Sequence, residues 1–337
     1  MARVRSGCSF LARASFYSQI LLEAVPITQY ILKRLISMIP VLLGISLVVF
    51  LMLHLIPGDP ALLMLGSKAS PAAIAALHIR LGLDKPIYIQ YFSFLFNLVR
   101  GNFGISYFYN QPVLALILSR LAPTLFLVAY AAFLLALISV PLAILTALRR
   151  NSWIDQLVRA SLVLTLGMPT FWLGILFLML FSLRLRLFPV SGWGEGFFGH
   201  LYYLFLPALT ISLSLAAIMI RSLRSTILET LSADYIRTAR AKGLSRRRVF
   251  IKHALRTSLI PAITLFGLNI GYLIGGTVLV ETVFSIPGIG LLLVSTIFAR
   301  DYPMVQGITL ILGFLVLLIN LVTDITYSYL DPRVSLK

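Results

Sequence analysis

Six long apolar runs constrain this chain more than any other feature of its sequence. Each run has about 20 residues or more, which is the length that an α-helix needs to cross a bilayer. Inside a bilayer the backbone N–H and C=O groups must bond to one another, and a helix achieves this within one segment. The sequence therefore predicts an all-α integral membrane protein with six transmembrane helices, at Leu35–Ile56, Leu125–Leu148, Ala160–Phe181, Leu201–Ile220, Leu259–Val280 and Val305–Ile325.

Composition supports a membrane protein and excludes several other classes. Hydrophobic residues make up 59% of the 337 residues and charged residues only 12%, whereas a soluble protein carries roughly a quarter charged residues. The net charge of +17 is concentrated in short loops beside the apolar runs, so no nucleic-acid partner is expected. The single cysteine, Cys8, excludes an internal disulfide and a cysteine-rich metal site.

A seventh apolar run is too short to cross the membrane. Phe284–Phe298 has 15 residues and is interrupted by the sequence IPGIG. As a helix it reaches only about 22 Å, against a hydrocarbon core of about 30 Å. We therefore expect a re-entrant helix or one that lies on the membrane surface.

The placement of Lys and Arg predicts how the chain is oriented. Lys33 and Arg34 precede the first run, three arginines lie between the second and third runs, and ten Lys or Arg lie between the fourth and fifth. Basic loops stay on the cytoplasmic side, so six spans place both termini in the cytoplasm. Residues 57–120 then form an external loop region. Residues 31–337 are one six-span domain, and 1–30 are an N-terminal cytoplasmic extension, or an over-long translation start, without the features of a signal peptide.

The basic loop, defined as residues 221–258, contains a helix-break-helix pattern. Residues 221–256 hold ten Lys or Arg and two acids, a net charge of +8. In the sequence ADYIRTARAKGL, Ser232 is the predicted N-cap, Asp234 lies in the first turn, and Gly243 is the predicted C′ residue. Ser245 is then positioned to cap the next helix.

The first helix of this pattern is suited to contact a soluble partner. Its small residues allow a close fit in a groove, with Tyr235 and Ile236 as anchors and its cations facing an acidic rim. Only about 20 residues connect this element to the fifth span, so a displacement of the element by a partner would reach that span. The alternative is a solvated loop that touches lipid headgroups. The candidate coupling residues are Asp234, Tyr235, Arg237, Ala239, Arg240, Lys242 and Gly243.

Glycines at Gly267, Gly271 and Gly275 share one face of the fifth predicted span. Such a face allows close helix packing, which is expected within this subunit, with a dimer seam or a lining of the transport path as alternatives. Path lining is also an alternative for the polar residues near span ends. These polar residues are His54, Glu281, Gln306, Asn320 and Asp324.

Catalytic and nucleotide-binding patterns are missing from the sequence. The four histidines are scattered, and the phosphate-binding pattern G-x-x-x-x-G-K-[ST] does not occur. We therefore expect a non-catalytic chain with no metal site and no bound cofactor. If transport is active, its energy must come from another subunit. The alternative to a transporter powered by a separate ATPase subunit is an ion-gradient-driven transporter. Internal symmetry or charged mid-span helices in the sequence would favour that class.

A series of short motifs runs in order along the chain. The motifs are IPGDP (56–60), LGLDKPIYIQY (81–91), GNFGIS (101–106), RLAPT (120–124), MPTFW (168–172), LFPVSG (187–192), LPA (206–208), DYIRTARAKGL (234–244), HALR (253–256), ETVFSIPGIG (281–290), RDYPMVQG (300–307) and DPR (331–333). This series resembles the permease subunits of ABC importers, and within them the first permease of the dipeptide/oligopeptide/nickel family, over about residues 28–335. The general importer signature of the basic loop is Glu-Ala-Ala, three residues, Gly, nine residues and Ile-x-Leu-Pro. Ala239, Gly243 and Leu255 match this signature, whereas its Glu, first Ala, Ile and Pro have no match here.

The resemblance implies a type I importer permease fold in a bacterial or archaeal cytoplasmic membrane, with a cytoplasmic coupling helix in the basic loop. It implies a heterodimer with a second homologous permease, two ATPase subunits that bind ATP and Mg, and an external substrate-binding protein. Di- or oligopeptides are the implied substrates. Nickel, a nickel chelate or glutathione-like peptides are the alternatives, and the short outer loop at 182–200 suggests these relatives.

Overall fold

The computed structural model describes residues 27–55 and 70–330, and the elements within those ranges are helices. The motifs at 56–60 and 331–333, and residues 1–26 of the extension, lie outside the described residues. The helices are α1 Ile27–Leu55, α2 Pro71–Leu81, α3 Ile87–Val99, α4 Val113–Leu148, α5 Trp153–Gly167, α6 Thr170–Arg184, α7 Gly196–Ser232, α8 Asp234–Ala241, α9 Arg246–Val283, α10 Ile289–Phe298 and α11 Tyr302–Leu330.

Five of these helices are long and apolar enough to cross a membrane, namely α1, α4, α7, α9 and α11. They coincide with five of the six predicted runs but are longer at one or both ends. With 36 to 38 residues, α4, α7 and α9 each reach about 55 Å, well beyond the hydrocarbon core. The helix α4 begins at Val113, inside the segment 57–120 that was assigned to the external loop.

The third predicted span, Ala160–Phe181, is not one straight helix. It falls on α5 and α6, which are bent by 110° relative to each other. Proline disfavours the helical conformation in the residue before it, and Met168, which precedes Pro169, is extended with ψ 128°. Each half has 15 residues and reaches only about 22 Å. Six spans are therefore counted only when this bent pair is taken as one.

The other prolines in the apolar runs do not break their helices. Pro40 lies inside α1, Pro123 and Pro141 inside α4, Pro207 inside α7 and Pro261 inside α9. Membrane helices tolerate proline when neighbours compensate for the lost hydrogen bond. Among the described prolines of the six apolar runs, only Pro169 coincides with the end of a helix, so proline alone did not predict the bend.

The helices α4, α7 and α9 form the core of the bundle. One cluster of buried side chains joins all three helices through Leu127, Leu204 and Leu273. A second cluster, towards the basic loop, combines alanines such as Ala143 and Ala216 with larger side chains such as Leu223. The helix α11 packs on α9, and α1 packs on α11, where Arg34 and Asp324 form an ion pair at 2.8 Å. The side of the bundle that carries the basic loop is called the basic side below.

The short helices α2 and α3 lie in the region predicted to be external. Ser70 accepts a hydrogen bond from the Ala73 N–H and caps α2, and Pro71 is its first residue, as predicted. Tyr91 attaches α3 to α1, because its hydroxyl lies 3.0 Å from the Ser46 hydroxyl and its ring packs on Phe50. These contacts fix α3 against the end of α1 that is remote from the basic side.

Candidate functional site

The helix α8 begins directly after α7 ends. Ser232, the predicted N-cap, is instead the last residue of α7, and its hydroxyl donates to the Glu229 carbonyl oxygen at 2.7 Å. Ala233 occupies the N-cap position and offers no side-chain acceptor. The N-cap prediction was wrong because α7 continues past its apolar run and includes this serine in its last turn. Asp234 lies in the first turn of α8, as predicted.

The end of α8 is a Schellman motif centred on Gly243. The Gly243 N–H donates to the Arg240 carbonyl oxygen at 2.9 Å, and the Leu244 N–H donates to the Ala239 carbonyl oxygen at 3.4 Å. Gly243 has φ +80°, which is the left-handed conformation that glycine adopts without steric cost. The predicted C′ position is therefore confirmed.

One face of α8 packs against the chain's own helices. Ile236 is fully buried in a small cluster with Val249 and Ala254, and Ala239 and Leu244 pack beside it. Ile236 was expected to anchor a partner, and the structure corrects this because the side chain faces α9 instead. Ala239 is partly buried on the same inner face. Both residues therefore fix α8 to the membrane helices.

The other face of α8 is free for a partner. Tyr235 is 47% exposed, and Asp234, Arg237, Arg240 and Lys242 are exposed with it. The long distance of 3.8 Å between Arg237 and Asp234, both exposed, makes this ion pair weak. The face therefore presents an aromatic ring among three cations and one carboxylate. Five of the seven candidate coupling residues lie on it.

The helix α9 follows α8 in the chain and begins with an irregular segment. Ser245 is extended at the N-cap position as predicted, but its side chain accepts no hydrogen bond from the helix. Residues Val249–Leu255 form a π-helical segment before regular helix resumes. The Ser258 hydroxyl donates to Thr230 Oγ1 at 3.1 Å and so ties α9 to α7. The helix α8 is thus attached to two spans at their basic ends.

The opposite end of α9 carries a fully buried carboxylate, Glu281. Its Oε2 accepts hydrogen bonds from the N–H groups of Gly290 at 2.6 Å and Leu291 at 3.1 Å. Its Oε1 accepts one from the Thr124 hydroxyl at 2.7 Å, and Thr124 Oγ1 accepts another from the Ile289 N–H at 2.9 Å. Glu281 therefore caps the N-terminus of α10, where the helix dipole favours negative charge.

This cap explains the motif ETVFSIPGIG. A side chain on Gly288 would collide with the Glu281 carboxylate, and one on Gly290 would collide with the backbone of α9 at Val278. Path lining was only an alternative for Glu281 in the sequence, and the structure gives the side chain a role in holding α10. A carboxylate that precedes a P-G-x-G turn and a short apolar helix was the signal for this role. The predicted short helix is confirmed as α10.

A second buried carboxylate, Asp301, holds the other end of α10 and the external loop. It accepts hydrogen bonds from the Ser106 hydroxyl and from the N–H groups of Tyr107 and Phe108, the latter two at 3.1 Å. Burial, together with the negative charge of Asp301, raises the pKa of Tyr107 to about 12. This network fastens the loop 101–112 to the start of α11.

Two of the three candidate packing glycines contact α11. A side chain at Gly267 would overlap with Thr323, and one at Gly271 would lie 3.3 Å from Asn320 Oδ1. Around Gly275, by contrast, the described chain leaves open space within 4 Å of a side-chain position. Packing inside this subunit therefore explains Gly267 and Gly271 only.

The remaining polar candidates do not form a site together. Asp324 pairs with Arg34, Asn320 lies beside Gly271, and Gln306 is half-buried in α11. The side chain of His54 lies outside the description. Among the described residues, no group of three or more His, Cys, Asp or Glu side chains is arranged to hold a metal ion.

Comparison with known families identifies the type of protein. Residues 139–336 match the family "Binding-protein-dependent transport system inner membrane component", and residues 27–128 match its N-terminal component. The glutathione transport system permease protein GsiC of Salmonella paratyphi A is 40% identical over 308 residues, which cover 91% of this chain and 99% of GsiC. GsiC of Escherichia coli K12 is 39% identical over the same shares of both chains.

A solved structure shows the same fold. The crystal structure of an amino acid ABC transporter with histidines aligns with a TM-score of 0.50 at 13% identity, covering 65% of this chain and 94% of that one. Together with the apolar spans, this alignment establishes the type I permease fold. The chain therefore belongs to the family of inner-membrane components of binding-protein-dependent transport systems, and it is a multi-pass permease of an ABC importer.

Proposed function

We propose that this permease carries di- or oligopeptides, including glutathione-like peptides, into the cytoplasm. The relatives named as glutathione transport permeases support this substrate class, since they match along nearly their whole length. Family membership implies ATPase and substrate-binding-protein partners. We extend this to a heterodimer with a second permease and to two ATPase subunits, which bind ATP and Mg in place of this chain.

The construction of α8 is the observation that supports a role in coupling an ATPase subunit to the membrane spans. Its inner face is fixed to α9 through Ile236, its end is set by Gly243, and its outer face presents Tyr235 among cations. An acidic groove on an ATPase subunit complements this face. Movement of the ATPase would then displace the basic ends of α7 and α9 and alter the path between the permeases.

Uptake by intact cells tests the proposed substrate. Cells that lack this permease should lose accumulation of labelled glutathione or of a labelled dipeptide, and the intact gene should restore it. Unlabelled peptide should compete with the label, whereas Ni²⁺ should not. Loss of Ni²⁺ uptake with normal peptide uptake would move the assignment to the nickel alternative. We also expect the purified chain alone to hydrolyse no ATP.

The orientation is tested by cysteine labelling. In a Cys8→Ser background, Arg247→Cys should be protected from a membrane-impermeant maleimide in intact cells, because the basic loop lies in the cytoplasm. Asn102→Cys in the exposed loop on the opposite side should react. Opening the cells should make Arg247→Cys reactive. Labelling of Arg247→Cys in sealed cells would contradict the proposed topology.

The external surface around α3 is the proposed contact for the binding protein. Asp84, Lys85 and Tyr88 are exposed there, whereas Tyr91 holds α3 to α1. Replacing Asp84, Lys85 and Tyr88 with Ala should each weaken binding-protein affinity, by about fivefold or more at a central contact. Surface plasmon resonance with the complex in nanodiscs measures this. Glu195→Ala, at an exposed position before α7, is the control, and unchanged affinity for all three variants would place the interface elsewhere.

A further inference from the structure

A cavity of about 150 Å³ lies between α4, α5 and α7 towards the basic side. It is separate from the coupling face of α8 and from the two carboxylate caps at the opposite side. Its lining combines an apolar slot with a cluster of arginines. The lining residues are Thr146, Val158, Arg159, Leu162, Val163, Leu166, Ala217, Ile220, Arg221 and Arg224.

The arginines leave the cavity with an excess of positive charge. Asp155, fully buried beside it, accepts hydrogen bonds from Arg224 at 3.1 and 2.8 Å and pairs with Arg159 at 3.4 Å. Among the described residues, the exposed Arg221 forms no ion pair. Three guanidinium groups thus face one carboxylate, and the cavity attracts an anion.

The apolar part of the cavity extends away from these charges. Leu166 lies seven positions after Arg159 in α5, a distance of about 10 Å along the helix. Ala217 and Ile220 of α7 form the opposite wall and are buried, whereas Val163 is 69% exposed and leaves the slot open at its side. An apolar slot that is open on one side can accommodate part of a hydrocarbon chain.

The position of Arg221 matches the level of lipid headgroups. It lies 25 residues after Gly196, the first residue of α7, which corresponds to about 38 Å. The hydrocarbon core is about 30 Å thick and the headgroup regions bring the bilayer to about 40–45 Å. The arginines therefore lie near one membrane surface, with the apolar slot below them in the hydrocarbon region.

We propose that this cavity binds one anionic phospholipid, with its phosphate between Arg221 and Arg159 and the upper part of an acyl chain in the slot along α5. Basic pockets between membrane helices recognise acidic headgroups, and the apolar slot selects a lipid over a free anion. This binding goes beyond the transport function and does not depend on the coupling role of α8. The bound lipid would brace the α5–α7 contact beside the bend at Pro169.

Native mass spectrometry of the intact transporter complex tests the proposal. The complex, purified in detergent, is titrated with phosphatidylglycerol and with phosphatidylcholine of the same acyl chains. We expect phosphatidylglycerol to bind in preference. Arg221→Gln, which leaves the Asp155 ion pairs in place, should weaken it about fivefold, as expected for one cation near a membrane surface. Val163→Trp should also weaken it by filling the slot without changing the charge.

The control is Arg149→Gln, which removes an exposed cation on the same side outside the cavity. It should leave phosphatidylglycerol binding unchanged. Equal binding of the two lipids, or equal loss in Arg149→Gln and Arg221→Gln, would overturn the proposal. Displacement of the lipid by millimolar inorganic phosphate would show a simple anion site instead. A segment of the second permease seated in the cavity of the assembled complex would overturn it as well.

Discussion

Gly243→Val is expected to abolish uptake while leaving the membrane spans inserted. Gly243 has φ +80°, and the described chain leaves open space within 4 Å of a side-chain position there, so the cost is conformational and not steric. An ordinary residue pays roughly 1 kcal/mol for this conformation and a β-branched residue more. The end of α8 should therefore unwind and shift Arg240 and Lys242. We expect uptake to fall at least tenfold and ATP hydrolysis to lose its response to loaded binding protein, measured in proteoliposomes.

The matched variant is Gly243→Asn, because asparagine tolerates the left-handed conformation best after glycine. It should retain most of the uptake at the same abundance in the membrane. Arg240→Glu should fail differently, by repelling the acidic groove, so that ATPase subunits are lost from the purified complex. If Gly243→Val and Arg240→Glu both transport normally, α8 is not the coupling element.

Glu281→Ala is expected to destabilise the permease by about 3 kcal/mol. The change leaves the N–H groups of Gly290 and Leu291 and the Thr124 hydroxyl without their acceptor, and a buried unsatisfied group costs about 1–3 kcal/mol. The helix α10 should then detach from α9. The measurement is the thermal unfolding midpoint of the purified complex, together with protease cleavage at the turn 285–288, which should increase.

Two further variants, Glu281→Gln and Glu229→Ala, serve as controls. They distinguish loss of the α10 cap from the general effect of removing a carboxylate. Gln keeps one carbonyl acceptor of similar reach and should recover part of the lost stability. Glu229 is exposed on α7, where its main contact is with Ser225 at 3.1 Å, so its removal should leave the unfolding midpoint unchanged. An unchanged midpoint in Glu281→Ala would show that the carboxylate does not hold α10.

The local features that the sequence predicted correctly depend on short-range chemistry. The apolar runs are helical because any other backbone in lipid leaves polar groups unpaired. Gly243 ends α8 because a left-handed residue is required at that point in the chain itself. The Ser70 cap and the short α10 follow for similar reasons. Each of these features depends on residues within about one helical turn of it, so the local sequence is sufficient to predict it.

The features that the sequence did not predict depend on contacts between segments that are distant from each other in the chain. The sequence of α8 placed Tyr235 and Ile236 next to each other as anchors, and only the position of Val249 and Ala254 turns Ile236 inward. Equally, Gly275 continues the spacing of Gly267 and Gly271, but the described chain leaves open space within 4 Å of a side-chain position there.

The sequence by itself determined the membrane class, the family and the place of α8, because hydropathy, basic charge and turn residues act along the chain. The tertiary structure alone decided the 110° bend between α5 and α6, the inward direction of Ile236, and the role of Glu281 as the cap of α10. The physical reason for the last two is that they depend on groups brought together across the bundle, whereas the bend lies at one of several prolines that the sequence does not distinguish. Thr124, for example, is 157 positions from Glu281.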